Sequence, residues 1–179
     1  MKTIIFVPIK DYFQSRKKLW NKIILPFVVS IVALLFAFVI DIGSADDIYS
    51  AFSEFISVQI NVVSILIAFS VAIITILVST DSENIRQLKD TPSDKEMYKP
   101  INRKQLSLFQ ILLSNIAYNA ILEVFFLIAL IAISLIKILL PIFLLKYISA
   151  VCIFLILHIL IVLLESVAEM YLTFWSKKD

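Results

Sequence analysis

The chain has 179 residues, 61% of them hydrophobic, and a formal net charge of +2. A water-soluble domain of this length cannot cover so much apolar surface, so the composition predicts an integral membrane protein. A single cysteine excludes a disulfide framework and a thiol metal cluster.

Residues 1–22 are predicted to form a cytoplasmic N-terminal segment. Its apolar piece, residues 4–7, is too short for the core of a cleaved signal and is stopped by Pro8. Five apolar residues of the segment share one helix face beside the basic run RKK: Ile9, Tyr12, Phe13, Leu19 and Trp20. This pattern is typical of a short helix at the level of the lipid headgroups. A plain cytosolic lead-in is the alternative.

Four apolar runs are long enough to cross a bilayer, which takes about 20 helical residues. They cover about 23–40, 59–78 with an extension back toward 47, 106–136 and 147–175. Because the last three runs exceed this length, helices 2–4 are expected to tilt or to project beyond the bilayer. The predicted fold is therefore all-α, an integral membrane four-helix bundle in which residues 23–179 form a single domain.

The basic residues predict the orientation of these spans. All but two of the 16 Lys and Arg residues lie in the N-terminal segment, the loop 81–105 or the C-terminal tail. Only Lys137 and Lys146 lie on the opposite side, whose first loop is acidic. By the positive-inside rule, both termini and the loop 81–105 are predicted to be cytoplasmic, which makes the bundle N-in and C-in.

The second span carries a line of small and polar side chains along one helix face. We call this line the seam, and its seven members recur at steps of three and four residues: Ser57, Asn61, Ser64, Ala68, Ala72, Thr75 and Ser79. They fall within a sector about 80° wide, at about 100° per residue. Most other positions of this span are large and apolar.

Two physical accounts of the seam remain open. In the first, small side chains let another helix approach closely, and the polar ones hydrogen-bond across the contact. The first span offers a matching small face with Ser30, Ala33 and Ala37. In the second account, copies of the second span surround an axis and the seam lines a pore. We favour packing, because helix association in lipid selects such faces and the seam has no charged ring in mid-membrane.

The loop 81–105 is the only sizeable aqueous segment, and Pro92 and Pro100 exclude one long helix from it. Five acidic residues accompany its six basic ones, whereas phosphate backbones require an uncompensated basic surface. No direct nucleic-acid partner is therefore expected. A cytosolic protein partner suits the loop better, and a merely solvated connector is the alternative. The residues assigned to partner binding are Arg86, Lys89, Arg103 and Lys104.

Polar and ionisable residues also recur inside the third and fourth spans. They are Asn115, Asn119 and Glu123 at four-residue steps on the third span, and His158, Glu165 and Glu169 along one stripe of the fourth. Counted along the two helices from Lys137 and Lys146, Glu123 and His158 have similar depths, so a contact between them is predicted, either within this helix pair or at an interface between subunits. A structural hydrogen bond is favoured over a proton-sensitive switch, the other reading of a histidine at this depth.

The sequence has no His-Glu-x-x-His pair, no Gly-x-Ser-x-Gly elbow and no Walker loop. His158 is the only histidine, and neither a second histidine nor a cysteine joins it in a metal-site pattern. The only glycine, Gly43, leaves no means to build a carbonyl filter or the broken helices of a carrier. We therefore expect no enzyme, no cofactor, no bound metal and no solute carrier.

The layout, with the seam in SVQINVVSILIAFSVAIITILVST and the loop start DSENIRQLKD, resembles a known group of proteins. These are the small four-span membrane subunits of prokaryotic antiphage defence systems, nearest the Kiwa membrane subunits. The membrane accessories of some CRISPR systems are similar. The resemblance implies a homo-oligomer of the bacterial inner membrane, a tetramer, that senses phage attachment and holds a cytosolic DNA-binding effector.

The predicted function combines these inferences. The protein is expected to be a homo-oligomeric inner-membrane sensor or scaffold that anchors a cytosolic partner in antiviral defence. The alternative is a pore-forming effector or small ion channel lined by the second span. Self-association, membrane lipid and a cytosolic protein are the expected partners.

Overall fold

A computed structural model describes residues 6–39, 44–101 and 103–175, except for the side chains of Asn21 and of residues 172–175. Within these ranges the chain forms α-helices and no strand: α1 Val7–Ser15, α2 Trp20–Val39, α3 Ala45–Ser79, α4 Glu83–Asp90, α5 Leu108–Ile136 and α6 Ile142–Trp175. Four of them, α2, α3, α5 and α6, are long and apolar enough to cross a membrane. The predicted all-α bundle with four spans is confirmed. The acidic first connection and Gly43 lie partly or wholly outside the described residues, as do the basic residues 2, 177 and 178.

Three of the spanning helices are longer than a bilayer requires. Helices α3, α5 and α6 have 35, 29 and 34 residues. At about 1.5 Å per residue they extend roughly 45–50 Å, against about 30 Å of hydrocarbon core. Their excess length supplies helix surface on which the segments outside the membrane can pack.

Capping residues set where the long helices begin. Ser44 and Asp47 form a reciprocal capping box at the start of α3, and Ser107 and Gln110 form another at the start of α5. Each box satisfies two backbone N–H groups that the first turn of a helix leaves free. Ser82 caps α4 by accepting from the backbone N–H of Ile85.

Helices α3, α5 and α6 form the centre of the bundle, and α2 packs against α6. The inner face of α3 is a strict seven-residue repeat of Ile56, Val63, Ser70 and Leu77, each no more than 1% exposed. Such a repeat keeps one helix face against its neighbours over several turns. In lipid, the stabilising effect of this contact comes from close packing and not from removal of water.

The suggested match between the small face of the first span and the seam is wrong within the chain. Ser30 is buried and lies with Ala150 and Phe154 in a groove between α2 and α6. The reason is that α3 meets α5 through its heptad face, which leaves α2 to pack on the far side of α6. The seam is thus not used to hold this chain together.

The segments outside the spans fold back onto the bundle at one end, which we call the loop end. Ile85 and Leu88 of α4 are buried against Leu112 and Ile116 of α5. Backbone hydrogen bonds tie the loop down, from Ser93 N to Leu106 O at 2.9 Å and from Leu108 N to Thr91 O at 2.9 Å. The loop 81–105 is therefore folded against the bundle on one side, while most of its described residues stay exposed.

A short helix is present in the N-terminal segment as α1, and it packs against α5. The expected single face is only partly formed, because α1 ends at Ser15, Leu19 lies beyond it and Trp20 begins α2. The ring of Tyr12 stacks on that of Tyr118, with centroids 3.9 Å apart and planes 7° from parallel. Ile9 and Leu19 pack around this pair. Phe13 and Trp20, the other members of the apolar face, remain 46% and 74% exposed.

Candidate functional site

The seam lies on the outer surface of the single chain. All seven of its residues are exposed, although α3 is buried along its heptad face. The two faces follow from one helical period, since residues out of phase with the heptad are turned away from α5 and α6. The seam of this spanning helix is therefore not buried by any other described part of its own chain.

The hydroxyl groups of the seam are hydrogen-bonded within their own helix. Ser64 Oγ donates to the carbonyl of Ile60 at 2.7 Å, and Thr75 Oγ1 donates to that of Val71 at 2.9 Å. Ser79 makes the same bond to Thr75, at 2.5 Å. These contacts leave a surface that is narrow and only weakly polar, which suits close helix packing better than solvation by a column of water.

Asn61 is the exception among the polar residues of the seam. It is exposed and lies near the middle of the 35-residue helix α3. Among the described residues its carboxamide has no hydrogen-bond partner in this chain. Burying an amide in hydrocarbon without a partner costs about 2–7 kcal/mol. A second protein surface that supplies donors and acceptors removes this cost.

A buried carboxyl group joins α3 to α5 in the interior. Glu123 is fully buried, and its Oε1 accepts from Ser70 Oγ at 3.1 Å and from Asn119 Nδ2 at 2.9 Å. Ser70 occupies a position of the α3 heptad. The polar groups that the sequence places within the spans therefore fix the register between two helices.

The predicted contact between Glu123 and His158 is not made. His158 Nε2 instead lies 3.0 Å from the hydroxyl of Tyr118. The predicted depth of His158 was counted from Lys146, whereas α6 begins at Ile142. The two residues still agree in depth to within one helical turn, with His158 about 24 Å along α6 and Glu123 about 20 Å along α5. The contact is absent because Glu123 is turned toward Ser70 of α3, and His158 is hydrogen-bonded to Tyr118.

Glu123→Gln is expected to preserve folding, because a glutamine Oε1 can accept the same two hydrogen bonds. Glu123→Leu removes the acceptor and leaves Ser70 and Asn119 unpaired, which costs about 1–3 kcal/mol. Thermal unfolding in detergent measures both effects. A large loss of stability in Glu123→Gln alone would show that the carboxyl group has an ionic role.

A second polar cluster ties three segments together at the loop end. Arg16 Nη1 donates to Glu165 Oε1 at 2.9 Å, and Lys22 forms an ion pair with the same carboxylate. Tyr98 of the loop donates to Glu169, which also accepts from Asn115 Nδ2 at 3.4 Å. We call these six residues the loop-end cluster. It holds the N-terminal segment and the loop to α6.

The sequence placed Glu165 on a polar stripe of the fourth span but gave it no partner, and the roles of Arg16, Lys22 and Tyr98 were missed. Arg16 is only 4% exposed, and its guanidinium lies over the Tyr12 ring at 4.6 Å and the Tyr98 ring at 5.7 Å. Two acidic residues four apart on an otherwise apolar helix were the available signal, because buried carboxylates require cationic or hydrogen-bonding partners.

Burial raises the pKa of Tyr12 to about 12, although the Arg16 guanidinium acts in the opposite direction. The pKa of Tyr98 is also raised, first by burial and then by the carboxylate of Glu169. A raised pKa in the folded state means that the neutral phenol stabilises the fold below about pH 10. For Tyr12, this contribution is lost as the pH rises from about 10 to about 12.

Tyr12→Phe is therefore expected to weaken the alkaline destabilisation of the protein. The Tyr12 hydroxyl is buried without a hydrogen-bond partner, so its removal at pH 8 should be neutral or slightly stabilising. Melting temperatures at pH 8 and pH 11 test this, and the decrease between them should be smaller in the variant. Tyr147→Phe is the control, because Tyr147 is an exposed tyrosine near the start of α6, far from Tyr12 along the bundle. Equal decreases in all three proteins would contradict the assignment.

The four basic residues assigned to partner binding are all exposed. Arg86 Nη2 lies 2.7 Å from Asp81 Oδ2, and this hydrogen-bonded pair holds the pKa of Asp81 below its usual range. Lys89 lies over the Phe109 ring at 5.2 Å. Arg103 has a left-handed backbone with φ of 63°, in a turn closed by Lys104 N and Ile101 O at 3.0 Å. The four residues thus occupy two separate elements, α4 and this turn.

Among the described residues, no group of three or more His, Cys, Asp and Glu side chains is placed to hold a metal ion. Cys152 is a buried free thiol within α6. Comparisons with protein-family models, with curated proteins and with solved structures find no match to this chain. The seam and the loop end are therefore the features of this chain that bear on its function.

Proposed function

We propose that the protein is a homo-oligomeric scaffold or sensor subunit of a bacterial inner membrane. In this proposal, copies of the chain associate through the seam of α3. Both termini, α4 and the loop 81–105 then face the cytoplasm and present a folded surface to a soluble protein. The setting in antiviral defence, and a tetramer as the assembly, rest on the resemblance to the antiphage membrane subunits.

The observation that carries the proposal is the exposed carboxamide of Asn61 at the middle of α3. Lipid chains offer it no hydrogen bond, whereas an asparagine on a second copy offers both a donor and an acceptor. Around it, Ser64, Ala68 and Ala72 remove the side-chain bulk that would keep two α3 helices apart. A second copy is the natural occupant, because it presents the same small and polar face.

The loop end supports the scaffold part of the proposal. Its segments are held by the loop-end cluster and by the hydrophobic contacts of α4, so they offer a defined surface and not a flexible tether. A preorganised surface binds a partner with a smaller loss of conformational entropy than a disordered loop. The exposed basic residues on α4 and on the turn at residues 101–104 would guide an acidic partner toward it.

Charge reversal tests the scaffold function. Two double variants, Arg86→Glu with Lys89→Glu and Arg103→Glu with Lys104→Glu, should each weaken capture of the cytosolic partner about tenfold or more. Lys10→Glu combined with Lys95→Glu changes two other exposed lysines and serves as the control. Unchanged capture in both double variants would refute partner binding through these residues.

Ion flux separates the scaffold from the pore. The full-length protein in liposomes should not release trapped ions, because a close contact between α3 helices leaves no water-filled path along the seam. Flux that changes when Asn61 or Ser64 is replaced by a bulky residue would instead assign the seam to the wall of a channel.

A further inference from the structure

A small cavity lies beside the ion pairs of the loop-end cluster. It has a volume of about 40 Å³ and is lined by Arg16, Lys18, Lys22, Met97, Tyr98 and Glu165. A single water needs about 10–15 Å³ of such space, so the cavity accommodates a group with a few oxygen atoms. Lys22 begins the apolar stretch of α2, which places the cavity at the boundary of the membrane.

Arg16, which lines this cavity, has unused hydrogen-bonding capacity. Its Nη1 is bonded to Glu165, whereas Nε and Nη2 are buried and have no acceptor in the protein. The guanidinium group packs against the rings of Tyr12 and Tyr98, which restrict its position. A guanidinium presents its N–H groups in a fixed fork that matches two oxygens of a phosphate or carboxylate. An anionic group with two oxygen acceptors would therefore satisfy the free N–H groups of Arg16.

The charges around the cavity favour an anion as well. Three cationic side chains, Arg16, Lys18 and Lys22, line it together with one carboxylate, Glu165. Glu169 does not line the cavity itself but accepts a hydrogen bond from Tyr98, which does. Even when both carboxylates are counted, the side chains leave an excess of positive charge at a largely buried position, where charge interactions are screened less than at the surface.

We propose that this cavity binds a phosphate group through Arg16, Lys18 and Lys22. The group is the headgroup phosphate of an anionic phospholipid, because the cavity is lined by Lys22, where the apolar stretch of α2 begins. Exposed Trp20, two residues before Lys22, belongs to the amphipathic residues that settle at this level. A free phosphate or a soluble phosphate ester has the same chemistry and is distinguished in the test. The proposal does not depend on the seam or on any oligomer.

The full-length protein, delipidated in a non-ionic detergent, is the test system. Its melting temperature is measured during titration with phosphatidylglycerol, with phosphatidylcholine and with inorganic phosphate. A ligand that binds the folded state raises the melting temperature with its concentration. We expect the largest rise with phosphatidylglycerol, a smaller rise with inorganic phosphate and the smallest with phosphatidylcholine.

Lys18→Gln is the decisive variant, because Lys18 is exposed and its loss should not disturb folding. One lysine near an anionic lipid surface is worth about a fivefold change in affinity, so the titration midpoint should move by about that factor. Lys10→Gln changes an equally exposed lysine on α1, remote from the lining of the cavity, and should leave the midpoint unchanged. Arg16→Lys keeps the charge, loses the fork and should weaken binding further.

Each outcome decides the proposal. Equal responses to phosphatidylglycerol and to inorganic phosphate, both weakened in Lys18→Gln, would keep the site and assign it to a soluble phosphate. No rise with either phosphate source would overturn the proposal. A rise that is equal in the wild type, Lys18→Gln and Lys10→Gln would overturn it too, because the effect would then come from charge on the whole micelle.

Discussion

Ala68→Phe is expected to break the assembly of the protein, whereas Ile65→Phe, three residues earlier on the same helix, is expected to leave it intact. Ala68 lies in the middle of the seam, and Ile65 is 69% exposed on a different face of α3. A phenyl ring at a close helix contact overpacks it at a cost of about 1–3 kcal/mol. That cost corresponds to about a 5- to 150-fold weaker association at each interface.

The measurement is the mass of the purified particle in detergent, by light scattering or native mass spectrometry. The wild type and Ile65→Phe should give the same multiple of the chain mass, and Ala68→Phe should give monomers or smaller particles. Asn61→Leu provides a second variant without added bulk, and it should weaken the assembly by removing the central hydrogen bonds. Assembly of all four proteins to the same size would place the interface elsewhere.

Glu165→Ala is expected to release the N-terminal segment from the bundle and to lower stability strongly. Arg16 and Glu165 have side chains only 3% and 17% exposed, so the change leaves a buried guanidinium without its counter-ion. Breaking such a pair from one side costs about 3–5 kcal/mol. Lys22, which pairs with the same carboxylate, loses its partner at the same time.

Hydrogen exchange of residues 6–18 and trypsin cleavage after Arg16 and Lys17 report this release, and melting temperature reports the stability. The triple variant Arg16→Met, Lys22→Met and Glu165→Leu removes all three charges of this network and should recover most of the loss, as buried ion pairs replaced by apolar residues often do. If Glu165→Ala keeps the protection of the N-terminal segment, the ion pair does not hold it.

Some of these features could be predicted from the sequence because they depend on local pattern. Apolar runs of sufficient length identify the spans, and the spacing of the seam identifies a single face of α3. The helix ends predicted from the sequence differ from the observed ends by a few residues. Capping boxes at Ser44 and Ser107 set two of them, and the hydropathy of an apolar run does not record such caps.

Other features depend on contacts between distant parts of the chain, which a local pattern does not contain. Tyr98 and Glu169 are 71 residues apart, and Arg16 and Glu165 are 149 apart. The pairing of Glu123 with His158 was wrong because depth along two helices does not fix their rotation, and the rotation of α5 turns Glu123 toward α3. Likewise, periodicity identifies the residues of the seam but does not show which helix packs against it. In the structure α2 packs against α6, so the seam does not contact α2.

Labelling with a lipid-confined thiol reagent tests directly whether another copy of the chain covers the seam. In a Cys152→Ser background, single cysteines are introduced as Ser64→Cys on the seam and Ile65→Cys beside it, in the native membrane. Shielding by a second copy predicts fast labelling at position 65 and strong protection at position 64, with protection lost when Ala68→Phe is added. Equal labelling at both positions would mean that the seam faces acyl chains, and the proposed self-association would then be wrong.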